Sequence, residues 1–139
     1  MGWLGWALAS AVFAALTAVF GKLGVTGVPS DYATLLRTMV ILVFAAAIVA
    51  ATGQWRPPGE LPGRTLLFLV LSGLATGASW LCYYRALQLG QAAQVAPVDK
   101  LSVVLVAVFG TLFLAERLSP ANWLGVVLIT GGVVLVSWR

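Results

Sequence analysis

Residues 32–51 read YATLLRTMVILVFAAAIVAA, twenty positions carrying a single charge, Arg37. At about 1.5 Å of helical rise per residue such a run spans about 30 Å, the thickness of a bilayer's hydrocarbon core. It lacks the period-two alternation of a barrel strand. In a solvent without water the backbone must satisfy its own hydrogen bonds, and a helix does so within one segment. Four further stretches repeat the pattern, at about 3–20, 64–87, 92–114 and 120–138. The fold class is therefore an all-α membrane protein with five transmembrane helices, a single transmembrane domain over 1–139.

Composition agrees. The 139 residues are 61% hydrophobic and 9% charged, with a mean hydropathy of +1.02. An average soluble domain is about 25% charged, so there are too few charges here to coat a water-soluble globule. The segments between runs carry turn and cap signals. Gly21-Lys22, Gly24 and Gly27 end the first run, and Pro29-Ser30-Asp31 restarts the chain with Ser30 as helix cap and Asp31 favourable in the first turn. Residues 54–63, QWRPPGELPG, hold three prolines and two glycines and read as an interfacial loop. A short turn, Leu89-Gly90-Gln91, precedes the fourth run, and Ser119-Pro120 caps the fifth. Trp3, Trp55, Trp123 and Trp138 fall near run ends, as an aromatic belt requires. Gly73 and Gly77 form a GxxxG pair, and Ser10, Ala14 and Ala18 a small-residue stripe, both signals of close helix packing.

Several function classes drop out. One cysteine, Cys82, excludes an internal disulfide and a Cys-rich metal site. The absence of histidine removes the commonest metal ligand and the usual general base, so no metal site, cofactor or catalytic triad is expected and the chain does not read as an enzyme. Nothing resembles a GxxxxGK[ST] phosphate loop, so ATP is not the direct driver. The net charge of +4 comes from eight Lys/Arg and four Asp/Glu, scattered rather than clustered. That argues against a nucleic-acid partner and for a preference for anionic lipid. The first apolar run is too long, and lacks the basic flank, for a signal peptide.

Five spans place the two termini on opposite sides. Arg56, Arg64 and Arg117 lie on side A, with the N-terminus; Lys22, Arg85 and Arg139 lie on side B. The positive-inside rule orients a protein by the difference, which is nil here. Adding Arg37 and Lys100, which lean toward side B, gives five against three for side B in the cytoplasm. Two readings stand: insertion in both orientations with an inverted copy as partner, or a fixed orientation set by the few side B cations.

Ionisable groups at membrane depth cost about 2.5–3.5 kcal/mol on insertion scales and are functional candidates for that reason. Three qualify: Arg37, Asp99 and Lys100. Arg37 and Asp99 each lie about 10 Å in from side B by helical rise. Trp80 on the third span sits at a similar depth and shares a helix face with Tyr83 and Tyr84, at i, i+3 and i+4. These groups are read as a solute cavity with aromatic walls, its charged members orienting the ligand. Arg37 and Lys100 against Asp99 leave one excess positive charge, which favours a carboxylate-bearing (anionic or zwitterionic) solute. Adjacent helix positions are about 100° apart, so Asp99 and Lys100 are not expected to pair with each other.

Each group also has a plain structural reading. Lys100 snorkels to the interface; Asp99 and Arg37 form an interhelix pair; the aromatic face is packing or interfacial belt. Asp99 as a proton-coupling carboxylate stands beside these. Pro97 frees a carbonyl one turn earlier and kinks the fourth span. Glu116-Arg117 anchors a loop at the membrane edge.

The later spans carry a recognisable order of short motifs: Tyr84-Arg85-Ala86-Leu87, Val95-Ala96-Pro97, residues 112–119 (LFLAERLS), Trp123-Leu124-Gly125 and Gly131-Gly132. With Phe20-Gly21-Lys22 and Leu36-Arg37 they resemble the EamA repeat of the drug/metabolite transporter superfamily over essentially the whole chain. Members of that family typically carry two such repeats in inverted topology, and this chain carries one. The resemblance thus implies a homodimer as working unit, with an antiparallel arrangement recreating the usual pseudo-symmetry. Two departures are present. After Pro97, where the family is small or apolar, this chain reads Asp99-Lys100-Leu101-Ser102, so no known substrate transfers directly. The first span also lacks the acid on which the four-span small multidrug resistance proteins depend, which disfavours proton/drug exchange of that type.

Together these features predict a secondary transporter, an exporter of small polar metabolites such as amino acids, in the plasma membrane of a bacterium or archaeon. It would work by alternating access across a dimer interface. A non-transporting scaffold or regulatory subunit, and one half of a heterodimeric transporter, are the alternatives.

Overall fold

The computed structural model describes residues 2–138; Met1 and Arg139, the latter one of the side B cations, lie outside them. The apolar runs fold as helices α1 (Trp3–Gly24), α2 (Ser30–Ala51), α3 (Gly63–Leu89), α4 (Ala92–Asp99), α5 (Leu101–Phe113) and α6 (Pro120–Ser137). A single 3-10 turn, Pro58–Glu60, sits in the proline-rich loop. Helices α4 and α5 together make the fourth span, so the spans number five among the described residues. Large apolar side chains along every span, such as Phe13, Phe44, Leu74 and Leu128, are exposed. Water would penalise such a surface, whereas hydrocarbon is its natural solvent.

Three boundaries differ from the sequence expectation. Helix α1 continues through Lys22 to Gly24, and α3 runs on to Leu89, each adding part of a turn at the side B end. Ser30 is not the cap of α2: Pro29 holds that position, and the Ser30 hydroxyl instead donates to Asp31 Oδ1 at 3.2 Å. The fourth span is interrupted at Lys100, three residues after Pro97. Pro97 has no N–H for the Ala93 carbonyl. Lys100 N–H divides between Ala96 O at 3.3 Å and Pro97 O at 3.0 Å, and Val103 N–H takes Lys100 O at 2.9 Å. Hydrogen bonds stepping back three residues tighten the helix locally, which is how a proline-weakened span changes pitch.

The chain forms two compact units, one of residues 21–88 and one of 1–20 with 89–139. In the first, the buried side chains are Val25, Ser30, Thr34, Tyr84 and Leu87. In the second, α6 packs on both α4 and α5, and Val133 is buried. Its α5–α6 connection is wound tightly. Leu114 N–H and Glu116 N–H both reach Gly110 O at 3.1 Å, with Ala115 between them in the left-handed region at φ 54°. A Cβ on Gly110 would stand 2.6 Å from Glu116 Oε2, so only glycine lets that side chain fold back. Gly73 and Gly77 differ from expectation: no described atom lies within 4 Å of where their Cβ atoms would be, so the GxxxG pair is not packed within the chain.

At the start of α6 the Ser119 hydroxyl accepts the Asn122 N–H at 3.2 Å, with Pro120 filling the first helical position where its missing N–H is harmless. Replacing Ser119 with Ala should lower stability to thermal unfolding in detergent by about 1 kcal/mol, and Asp at the same position should keep it. Equal stability of the Ala and Asp variants would show that this cap contributes nothing.

Candidate functional site

Helical spacing decides which polar groups of residues 21–88 meet. Ser30, Thr34 and Arg37 recur at four and three residues along α2, and Trp80, Tyr84 and Leu87 do the same along α3, so each set occupies one face. The α2 face stays polar without leaving its hydroxyls unmet. Thr34 Oγ1 donates to Ser30 O at 2.9 Å, and Thr38 Oγ1 to Thr34 O at 2.7 Å. Both bonds return the hydroxyl proton to the helix's own backbone, the usual way a threonine enters an apolar span.

Arg37 lies against the α3 face. Its guanidinium carbon is 4.2 Å from the centre of the Trp80 ring and 5.3 Å from that of Tyr84. Tyr83 meets Tyr84 edge-on, with ring centres 6.3 Å apart and an interplanar angle of 62°. Aromatic faces attract a cation by about 2 kcal/mol or more when it is desolvated, but they accept no in-plane hydrogen bond. The consequence is visible at Nη1, which is buried and has no hydrogen-bond partner. A buried donor left in that state costs about 1–3 kcal/mol, more when charged. The arrangement is a cation lying over two aromatic rings, with one terminal nitrogen buried and unmet. Chemically it suits a planar oxyanion such as a carboxylate, which meets a guanidinium in its own plane.

Of the residues expected at the site, Arg37, Trp80, Tyr83 and Tyr84 are therefore brought together. Asp99 and Lys100 belong to the other unit, and they correct the expectation that they would not pair: Lys100 Nζ stands 3.6 Å from Asp99 Oδ2. The 100° argument holds only inside a regular helix, and α4 ends at Asp99, leaving Lys100 in the turn between α4 and α5. Both side chains remain partly exposed, at 36% and 54%, so the pair contributes little stability.

Three residues beside the Arg37 site are not expected there from the sequence: Gly21 and Lys22 read as the end of the first span and as part of a family motif, and Gln88 has no assigned role. Lys22 Nζ donates to Leu87 O, and Gln88 Nε2 donates to Val28 O at 2.6 Å and Val25 O at 3.4 Å. Gly21 faces Tyr84 so closely that a Cβ there would lie 3.2 Å from the phenol oxygen. Lys22 and Gln88 read in sequence as ordinary span-end residues; only their partners, 60 to 65 positions away, give them a role. A concavity of about 310 Å³ lies beside them, lined by Lys22, Val25, Thr26, Gly27 and Gln88. Among the described residues no group of three or more His, Cys, Asp or Glu is placed to hold a metal ion.

Comparison with known proteins agrees with this membrane architecture. The profile of the EamA-like transporter family matches residues 1–138. A protein of Sinorhizobium sp. named an uncharacterized transporter in the cobO 3' region is 67% identical over 97% of this chain and 96% of its own length. Protein RarD of Salmonella typhi is 26% identical over 80% of the chain, but the match spans only 38% of RarD. A Yersinia pestis protein named a probable 4-amino-4-deoxy-L-arabinose-phosphoundecaprenol flippase subunit, ArnE, is 32% identical over 60% of the chain and 74% of its own length. No solved structure matches. Five apolar spans, a family match from end to end and a near full-length relative agree: the chain belongs to the EamA-like transporter family.

Proposed function

We propose that the protein is a secondary transporter that exports small polar solutes carrying a carboxylate, amino acids among them, across a bacterial plasma membrane. The observation that carries this reading is the Arg37 guanidinium, lying over the Trp80 and Tyr84 rings with Nη1 buried and unmet. A solute carboxylate supplies the missing acceptor, and the rings of Trp80, Tyr83 and Tyr84 form the wall against which its apolar part rests. Binding then favours whichever conformation places Arg37 in contact with the solute, and alternation between two such conformations moves it across. Asp99 and Lys100, at the break in the fourth span, are assigned to coupling: protonation of Asp99 releases Lys100 and lets the break change pitch. The whole chain acts as one transport domain, without catalytic chemistry of its own.

The working unit is a homodimer of oppositely oriented copies. Support comes from loop cations that balance across the membrane, three on each side. A second reading, one half of a heterodimer, is favoured by the word "subunit" in the name of the ArnE relative. A scaffold role is the third. Purified protein reconstituted alone separates them, because only the homodimer transports without a partner.

Flux of labelled amino acids in liposomes containing this protein alone should be measurable, and it should fall at least tenfold in Arg37→Lys, which keeps the charge but loses the planar edge. Arg37→Met should abolish flux while changing stability by no more than about 1 kcal/mol, because the lost ring contacts are offset by removal of an unmet buried donor. A loss of about 3–5 kcal/mol in Arg37→Met would instead mark Arg37 as half of a structural buried pair. Asp99→Asn should abolish substrate-dependent flux with insertion and dimerisation intact; normal flux in that variant would remove Asp99 from the mechanism.

A further inference from the structure

We infer that the layer between Arg37 and the α1–α2 turn is the side B gate of the solute path, held shut in this structure by a latch made of Lys22 and Gln88. The inference rests on the transport reading of the Arg37 site and names the barrier on one side of it.

Burial in residues 21–88 is concentrated in one place. Leu87, Ser30, Val25, Tyr84 and Thr34 are 0–5% exposed, while the flanking α2 and α3 side chains Leu35, Leu36, Met39 and Leu81 are exposed. From Arg37 to Ser30 is seven residues of helix, so the closed layer is about 10 Å thick. It contains the end of α1, the start of α2 and the end of α3, which are the side B ends of these elements. A solute leaving Arg37 toward side B must pass through it.

The latch has the chemistry of something made to open. Helices α1 and α3 both terminate here, and their ends present backbone carbonyls and the negative pole of the helix dipole. Lys22, in the last turn of α1, places its ammonium on the Leu87 carbonyl in the last turn of α3. Gln88 ties α3 to the carbonyls of Val25 and Val28 in the turn. Lys22, Val25 and Gln88 line the concavity of about 310 Å³, so water can reach their polar groups when the layer parts. The apolar contacts beneath reform without directional constraint.

Tyr84 joins the gate to the site. Its ring forms one side of the Arg37 cage, and its hydroxyl end lies against Gly21. A Cβ at Gly21 would stand 3.2 Å from the Tyr84 oxygen and 3.3 Å from Leu87 Cδ1, so a methyl group there would push Tyr84 and Leu87 aside by a few tenths of an ångström. A guanidinium drawn toward a bound anion leaves the ring with one contact fewer, which links occupancy of the site to seating of the gate.

The test is accessibility rather than transport. In a Cys82→Ser background, a single cysteine replaces Thr34, within the layer, or Thr26, on its outer side. Each protein is placed in lipid nanodiscs and treated with a charged, membrane-impermeant methanethiosulfonate. The Thr34→Cys protein should react at least tenfold more slowly than Thr26→Cys. Adding Lys22→Met with Gln88→Leu should raise its rate at least tenfold, and Gly21→Ala, which leaves the latch residues in place, should do so as well. Lys22→Arg should stay slow. Fast reaction of Thr34→Cys without latch changes, or slow reaction in both the double variant and Gly21→Ala, would overturn the gate. Because no arm uses flux, failure of the Arg37 variants to affect transport would overturn the site while leaving this result readable.

Discussion

An arginine about 10 Å inside a membrane has to be kept there against a cost of about 2.5–3.5 kcal/mol. Snorkelling is the common escape, but the Arg37 guanidinium lies over the rings of Trp80 and Tyr84 on α3. Ring contacts of this kind return an energy comparable to that cost without neutralising the charge. What they do not supply is a hydrogen-bond acceptor for Nη1, which stays buried and unmet. An aspartate at the same point would supply one.

The same economy of polar groups governs the rest of residues 21–88. The Thr34 hydroxyl returns its proton to the helix and the Ser30 hydroxyl donates to the neighbouring Asp31 carboxylate, so both sit in a closed layer without a distant partner. The longer polar side chains, Lys22 and Gln88, are used only where helices end and backbone carbonyls have no helical partner. In the other unit the interruption of the fourth span follows from Pro97, and the turn it creates is where Lys100 and Asp99 meet. Polar chemistry thus concentrates at Arg37, at the side B rim and at the break in span four.

The spans and the family were legible in the sequence because hydrocarbon imposes one rule on every segment. A run of apolar residues without charge or turn has to be a helix, and Ser119-Pro120 could be read as a helix start with its cap in place. Arg37, Trp80, Tyr83 and Tyr84 were legible for a related reason, since spacing fixes helix face and distance from the turn fixes depth. What depended on local irregularity was not. The Asp99–Lys100 pair appears only once the helix stops between those residues, and Ser30 gave up the cap of α2 to Pro29. Gly21, Lys22 and Gln88 carry no periodic signal at all, because their roles come from partners far along the chain.

The central claim is that the open edge of Arg37 receives a carboxylate. The direct measurement is the nitrogen NMR spectrum of side-chain 15N-labelled arginine in the lipid-embedded protein, with the Arg37 resonances identified by their loss in Arg37→Lys. Adding an amino acid or a simple carboxylate should split the two terminal nitrogens of Arg37 and move one of them alone, as an in-plane acceptor reaches Nη1. A cation of equal size should leave them unchanged. Arg37 resonances indifferent to every carboxylate tried, in a protein that nevertheless exchanges those solutes, would place the binding site elsewhere and contradict the account.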